Sequence, residues 1–169
     1  QPYTCMKQDF LQKYPTACVM KSISKSYGVP GIRLGVFASN DATIIAAMKA
    51  AVAIWNINSF GEFFLQICEK YHDEYAVACR ELAKERSRFM AKLRTISFLT
   101  VYPSEANYVL CEVKAPFDSK GLTVALWKKA ELLIKDCAGK RGFGGKSFIR
   151  LAVRDKDDND ALIAALERL

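Results

Sequence analysis

A long stretch of helical periodicity in the middle of the chain most constrains its fold. It starts at a candidate capping box over residues 59–62 and continues to about residue 96. Its apolar stripe has steps of three, four or seven and consists of Tyr75, Cys79, Leu82, Phe89 and Leu93. Charged residues occupy its other faces. A helix of this length and pattern can connect two lobes, so we expect a domain boundary near residues 75–95.

The sequence on either side of this stretch mixes helical and strand patterns. Before it, we predict helices over 5–14 and 41–53, strands over 17–23 and 32–38, and a loop over 24–31. After it, we predict strands over 97–102, 108–113 and 147–153, and helices over 122–133 and 157–169. These mixed patterns indicate the α/β fold class, with an α+β arrangement over residues 97–169.

The composition is that of a globular protein. Hydrophobic residues make up 51% and charged residues 25% of the 169 positions, which excludes disordered and fibrous classes. No apolar run approaches the roughly 18 residues that a membrane span needs. The chain begins without Met and without a leader pattern, so we expect a cytoplasmic protein whose natural start lies upstream of residue 1.

The net charge and the spacing of the cysteines argue against further classes of function. The net charge of +7 permits a non-enzymatic module that binds anions, but nucleic-acid binding needs a clustered basic face with interleaved aromatics, which the sequence lacks. We therefore expect neither nucleic-acid nor membrane partners. The six cysteines form no paired metal-ligand spacing and only one His is present, so no metal site is predicted. Buried free thiols in a reducing compartment fit this pattern best.

Residues 21–35 hold the highest concentration of side chains that could bind a ligand or take part in catalysis. Ser22, Ser24 and Lys25 come at the end of a predicted strand, and Arg33 follows a glycine-containing turn. Short hydroxyl side chains and an arginine fork can hold a phosphate dianion, and a neighbouring lysine amine can react with an aldehyde cofactor. On residue types alone, a surface loop with one lysine among many is the alternative.

Several segments, in order along the chain, resemble one enzyme family. The Ser-x-Ser-Lys of residues 22–25, followed by the Gly-Ile-Arg-Leu-Gly of 31–35, resembles the lysine signature of class I/II aminotransferases that depend on pyridoxal phosphate. Residues 148–154 resemble the family's carboxylate-binding arginine strand, and residues 103–110 are similar to a small-domain strand of its histidinol-phosphate aminotransferase branch. The resemblance covers nearly all of the chain.

This resemblance implies the fold and the roles of the site residues. The fold is expected to be the C-terminal part of the pyridoxal-phosphate transferase fold: the end of the large-domain mixed sheet, a long connecting helix and the small domain. Lys25 is implied to hold pyridoxal 5'-phosphate and then to act as a base. The implied ligands of the cofactor phosphate are Ser22, Ser24 and Arg33, and Arg150 is implied to bind the substrate carboxylate.

The implied parent enzyme moves an amino group between an amino acid and a 2-oxo acid and acts as a homodimer. A decarboxylase of a phosphorylated amino acid on the same fold is the alternative. Lys135 stands where the histidinol-phosphate branch often has a phosphate-binding arginine, so it either binds an anionic substrate or is simply exposed. The family's partners for the cofactor ring lie further upstream than this chain reaches. We therefore expect that the N-terminal half of the parent is missing and that the isolated chain is inactive.

Overall fold

The computed structural model describes residues 4–169, which fall into two compact units. The first unit extends to Tyr75 and the second begins at Ala76, so the division lies in the first turn of a long helix. In residues 4–169, no helix is long and apolar enough to cross a membrane. The same residues contain no cluster of His, Cys, Asp and Glu side chains that could hold a metal ion.

The first unit contains a two-stranded antiparallel hairpin. Strands β1 (Cys18–Ser22) and β2 (Gly35–Ser39) pair in a register that places Ser22 opposite Gly35. Their connection contains a single helical turn, α2 (Ile23–Ser26), and a 3-10 turn (Pro30–Ile32). The sequence pattern predicts both strands but only a loop between them, and the helical turn that carries Lys25 has no signal in that pattern.

Helices α1 (Gln8–Lys13), α3 (Ala42–Ala51) and α4 (Ser59–Ile67) complete the first unit before the long helix. Asp41 caps α3, and its carboxylate accepts hydrogen bonds from the hydroxyl and the backbone N–H of Thr43, which lower the pKa of Asp41. Asn58 caps α4 by accepting from the N–H of Gly61 at 2.9 Å. The predicted capping box therefore begins one residue too late.

The long helix α5 spans His72–Leu93. A 3-10 turn over Cys68–Tyr71 separates it from α4, so the prediction of one uninterrupted helix from residue 59 is wrong. Phe89 and Leu93 of the predicted stripe are fully buried in the second unit, whereas Cys79 is exposed. The stripe thus identifies the core-facing side of the helix in its C-terminal half only.

The second unit contains a four-stranded antiparallel sheet in the order β3-β4-β6-β5. Its strands are β3 (Leu99–Val101), β4 (Tyr108–Val113), β5 (Lys135–Asp136) and β6 (Phe148–Ala152). Its helices besides α5 are α6 (Ser119–Ala130) and α7 (Lys156–Glu167). Strand β5 was not predicted, because two residues are too few to show an alternating pattern.

Alternation along β4 and β6 separates the two faces of this sheet. One face is buried with residues of α5, α6 and α7 and holds Val109, Cys111, Val113, Ile149 and Leu151. Arg150 and the residues paired with it, Leu110 and Lys135, lie on the opposite face, because directly paired residues of neighbouring strands share a face. Helices α5, α6 and α7 therefore cover the first face of the sheet and leave the face that carries Arg150 less covered.

Candidate active site

The hairpin connection of the first unit is closed by Ser24 and Leu34. The Ser24 hydroxyl accepts from the N–H of Leu34 at 2.9 Å and donates to the Leu34 carbonyl at 3.3 Å. The N–H of Ser24 donates to the same carbonyl at 3.3 Å. Lys25 and Arg33 are the next residues into the connection from either side, so these bonds bring their backbones to the same end of the hairpin.

This closed end is also the best-buried point of the first unit. Among its described residues only Ser24, Leu34 and Gly61 are buried. A β-carbon at Gly61 would lie 3.0 Å from Cδ2 of Leu34, so α4 packs directly on this point. The hairpin connection that carries Lys25 and Arg33 therefore lies against the most buried part of the unit.

Lys25 lies in α2 with an exposed side chain. In the described part of the chain its ammonium group has neither a hydrogen bond nor an ion pair within 4.0 Å. Ser22 precedes α2, is half-buried, and its hydroxyl does not cap the helical turn. An exposed amine without a carboxylate partner is accessible to an aldehyde.

Arg33 has a left-handed backbone conformation, with φ of +53°. Its guanidinium donates to the Pro30 carbonyl at 3.3 Å and takes part in none of the ion pairs found in residues 4–169. An arginine without a carboxylate partner retains its charge and most of its donors for an anion.

An aromatic group supports α2. The Tyr27 ring stacks on the Tyr75 ring at a centroid distance of 4.3 Å, and the Tyr27 and Phe64 rings form a T-shaped pair with their centroids 5.8 Å apart. The Tyr75 hydroxyl donates to the Ser26 carbonyl at 3.0 Å. The sequence pattern predicts that Tyr75 lies on the apolar stripe, whereas in the structure its hydroxyl binds the end of the turn that carries Lys25. No sequence pattern links residues 27 and 75.

Arg150 belongs to the second unit and is described with its own surroundings. It lies on β6, an interior strand, where Leu110 of β4 and Lys135 of β5 are its direct neighbours. Its guanidinium carbon is 5.2 Å from the centre of the Tyr108 ring, which is a cation–π distance. Arg150 is exposed and has no carboxylate within ion-pair distance among the described residues.

A groove of about 740 Å³ in the second unit contains both Arg150 and Lys135 in its lining. Arg154 also lines it but is ion-paired with Asp158, which raises the pKa of that guanidinium. Arg150 and Lys135 make no such pair in the part of the chain that the structure describes. These two cations can therefore attract an anionic ligand without first breaking an ion pair.

The family described as "Aminotransferase class I and II" matches residues 3–166. The chain belongs to the class I and II aminotransferase family. The family resemblance read from the lysine signature is thereby confirmed, and pyridoxal phosphate is the cofactor of this family.

Individual relatives of this aminotransferase-family chain catalyse more than one reaction. It is 32% identical to the L-serine phosphate decarboxylase of Sulfurospirillum multivorans over 98% of the chain and 43% of the relative. It is 31% identical to the CMP-5'-(3-aminopropyl)phosphonate synthase of Streptomyces rubellomurinus over 95% of the chain and 26% of the relative. The chain thus spans less than half the length of these relatives.

A solved structure confirms the predicted fold class. The histidinol-phosphate aminotransferase of Clostridium acetobutylicum matches 94% of this chain with a TM-score of 0.85 and 30% identity, and the match covers 47% of that enzyme. The aminotransferase-family chain therefore has the architecture of part of such an enzyme.

The chemistry of the donor set in the first unit fits pyridoxal phosphate. Lys25 offers an accessible amine for the aldehyde, and Arg33 offers a guanidinium without a carboxylate partner for the phosphate. Ser22 has an uncommitted hydroxyl, whereas the proton of the Ser24 hydroxyl is directed at Leu34 in this structure. To donate to a phosphate, Ser24 would have to give up that bond, so its predicted role stays a prediction.

Proposed function

We propose that this chain is the cofactor-binding and substrate-binding C-terminal part of a pyridoxal-phosphate enzyme that acts on an amino acid. The closed hairpin end carries the proposal, because it brings the backbones of Lys25 and Arg33 together in a chain of the aminotransferase family. In this proposal residues 1–75 are the end of the large cofactor domain and residues 76–169 are most of the small domain. We also propose that the whole protein is a cytoplasmic homodimer.

Each residue of the first unit has a distinct proposed task. The amine of Lys25 would hold the cofactor covalently until the substrate amine displaces it, and the freed Lys25 nitrogen would then accept the proton of the substrate α-carbon. Arg33, Ser22 and Ser24 bind the cofactor phosphate through charge-assisted hydrogen bonds. When bound, pyridoxal phosphate supplies an electron sink for the carbanion chemistry at the substrate α-carbon.

Arg150 is proposed to bind the substrate carboxylate. Its planar fork matches two carboxylate oxygens, which an ammonium group does not do. Contact with the Tyr108 ring restricts the guanidinium while leaving it without a competing carboxylate. The carboxylate is therefore oriented by Arg150, and with it the α-carbon from which a proton or carbon dioxide would leave.

Two reactions are compatible with these tasks, and relatives support each. Amino-group transfer is supported by the likeness to histidinol-phosphate aminotransferase, and decarboxylation of a phosphorylated amino acid by the 32% identity to L-serine phosphate decarboxylase. The position of Lys135 beside Arg150 favours a substrate with a second anionic group. An assay of the full-length protein that follows carbon dioxide and 2-oxo acid in parallel distinguishes the two reactions.

Covalent capture of the cofactor tests the proposal. The full-length protein is incubated with pyridoxal phosphate, reduced with borohydride and mapped by mass spectrometry. We expect the label on Lys25 and its loss in Lys25→Ala, whereas the exposed Lys49→Ala control keeps it. A label on another lysine in the unmodified protein would contradict the assignment.

The same measurement applies to the 169-residue chain by itself. We expect weak labelling and no turnover, because the family's partners for the cofactor ring lie upstream of these residues. Strong Lys25-dependent binding together with turnover would overturn this expectation.

A further inference from the structure

Two side chains hold the peptide groups on either side of Arg33. The Asn58 amide donates to the Ile32 carbonyl at 2.8 Å, and the Ser24 hydroxyl accepts from the Leu34 N–H at 2.9 Å. The first of these groups belongs to the peptide bond before Arg33 and the second to the peptide bond after it. Both peptide planes that determine the backbone conformation of Arg33 are therefore fixed by side chains from elsewhere in the unit.

The backbone of Arg33 needs such support. A left-handed conformation is unfavourable for a residue with a β-carbon, and it persists where the surroundings over-determine it. The Arg33 guanidinium contributes a single contact, at 3.3 Å to a carbonyl three residues earlier. The backbone is thus held firmly while most of the guanidinium donors stay unused, an arrangement suited to presenting the side chain to an anion.

Asn58 links this backbone to the start of α4. Its side-chain oxygen accepts from the N–H of Gly61 at 2.9 Å while its nitrogen binds Ile32. Gly61 is buried, and a β-carbon there would lie 3.4 Å from the Ile32 carbonyl oxygen. One amide group therefore ties the peptide before Arg33 to the first turn of a nine-residue helix.

We propose that Asn58 is a positioning residue that holds Arg33 ready to bind the phosphate of the cofactor. Asn58 acts through the Ile32 carbonyl and does not itself bind the cofactor. The inference rests on the proposed function, in which Arg33 is a phosphate ligand.

The two roles of Asn58 can be separated by substitution. Asn58→Asp retains an oxygen that caps α4, since Asp is as good a capping residue as Asn, but it removes the donor to Ile32. Asn58→Ser also caps α4, with a side chain too short to reach Ile32, and serves if the aspartate variant does not fold. Asp41→Ala is the matched control, because it removes a cap from α3 in the same unit and leaves the Arg33 segment unchanged.

The experiment compares the binding of pyridoxal phosphate with that of pyridoxal, which lacks the phosphate, in the full-length protein. We expect Asn58→Asp to weaken binding of pyridoxal phosphate about tenfold, and that of pyridoxal less than about twofold, with a fall in the thermal midpoint no larger than that of Asp41→Ala. Asp41→Ala should lower the thermal midpoint and leave the ratio of the two affinities unchanged. In an Arg33→Ala background, Asn58→Asp should have no further effect on that ratio.

Two results would overturn the inference. The first is an unchanged affinity ratio in Asn58→Asp or Asn58→Ser, either because neither ligand loses affinity or because both lose it equally, and equal loss indicates a merely structural role. In either case, strong binding by the unmodified protein leaves the proposed function intact. An unmodified protein that binds neither ligand would overturn the proposed function and this inference with it.

Discussion

Lys135 lies directly opposite Arg150 in the antiparallel register of β5 and β6. Side chains paired in this way have β-carbons about 4.5–5.5 Å apart and share a face of the sheet. Two adjacent cations repel each other, and neither is ion-paired in the described part of the chain. An anionic ligand between them relieves that repulsion, so this pair is the most informative place to test substrate recognition.

Replacing Arg150 by lysine should weaken recognition of the substrate carboxylate. The charge is retained, but the planar fork that binds two oxygens is lost. We expect KM for the amino acid to rise at least about tenfold in steady-state kinetics of the full-length protein. Arg154→Lys, in the same groove but ion-paired with Asp158, should change KM much less. Equal effects of the two substitutions would contradict the role of Arg150.

Removing the charge of Lys135 should weaken binding of the second anionic group of the substrate. Lys135→Leu should lower kcat/KM for a phosphorylated amino acid about tenfold or more relative to its unphosphorylated analogue, and Lys135→Arg should retain the preference. Lys129→Leu, an exposed lysine in the last turn of α6, is the control. If Lys135→Leu leaves the preference unchanged, Lys135 is simply a surface residue.

Asn159 should be a large contributor to the stability of the second unit. Its side chain is 2% exposed, donates to Glu85 at 2.8 Å and to the Arg154 carbonyl at 2.9 Å, and accepts from the Arg154 N–H at 3.1 Å. Asn159→Ala leaves the Arg154 N–H and carbonyl without this side-chain partner and removes one hydrogen bond from Glu85, so the free energy of unfolding in urea should fall by about 2 kcal/mol. The exposed Asn107→Ala should change it by less than about 0.5 kcal/mol.

Acid should destabilise the second unit through Glu85. The bidentate contact with Arg88 and the hydrogen bond from Asn159 lower the pKa of the Glu85 carboxyl in the folded state. A lowered folded pKa adds stability above the ordinary glutamate pKa of about 4.3, and this stability is lost as the pH falls through the folded pKa. Glu85→Gln should therefore be less stable than the unmodified protein at pH 7, with a difference that shrinks below about pH 4.

Urea unfolding at several pH values measures this difference. Glu167→Gln, at the exposed end of α7, is the control and should show no such convergence. A constant difference between Glu85→Gln and the unmodified protein across the acid range would refute the assignment.

The cysteines should differ widely in reactivity. Burial raises the pKa of the Cys111 thiol to about 12, whereas Cys18 and Cys79 are exposed. Because the thiolate is the reactive form, iodoacetamide near pH 8 should alkylate Cys18 and Cys79 long before Cys111. Mass spectrometry of a labelling time course checks this order, and all six cysteines should react in denaturant. Rapid labelling of Cys111 in the folded protein would show that the sheet opens.

Local patterns in the sequence were sufficient for most secondary elements. The strand patterns of residues 108–113 and 147–153 predicted β4 and β6, and the helix predicted over 157–169 corresponds to α7. The expectation of buried thiols was wrong for Cys18 and Cys79, because an apolar neighbourhood in the sequence does not determine which side of an element faces solvent. Short elements such as β5 were missed for lack of pattern.

The family was already indicated by the linear order of Ser22, Ser24, Lys25 and Arg33, because the motif is local and resembles the lysine signature of the family that matches the chain. Contacts between residues that are far apart in the sequence could not be predicted in this way. That Asn58 binds the Ile32 carbonyl, that Tyr75 holds the turn after Lys25, and that Lys135 pairs with Arg150 depend on where the chain returns in space. Hairpin closure, helix packing and strand register set those positions, and they are properties of the folded chain rather than of any one segment.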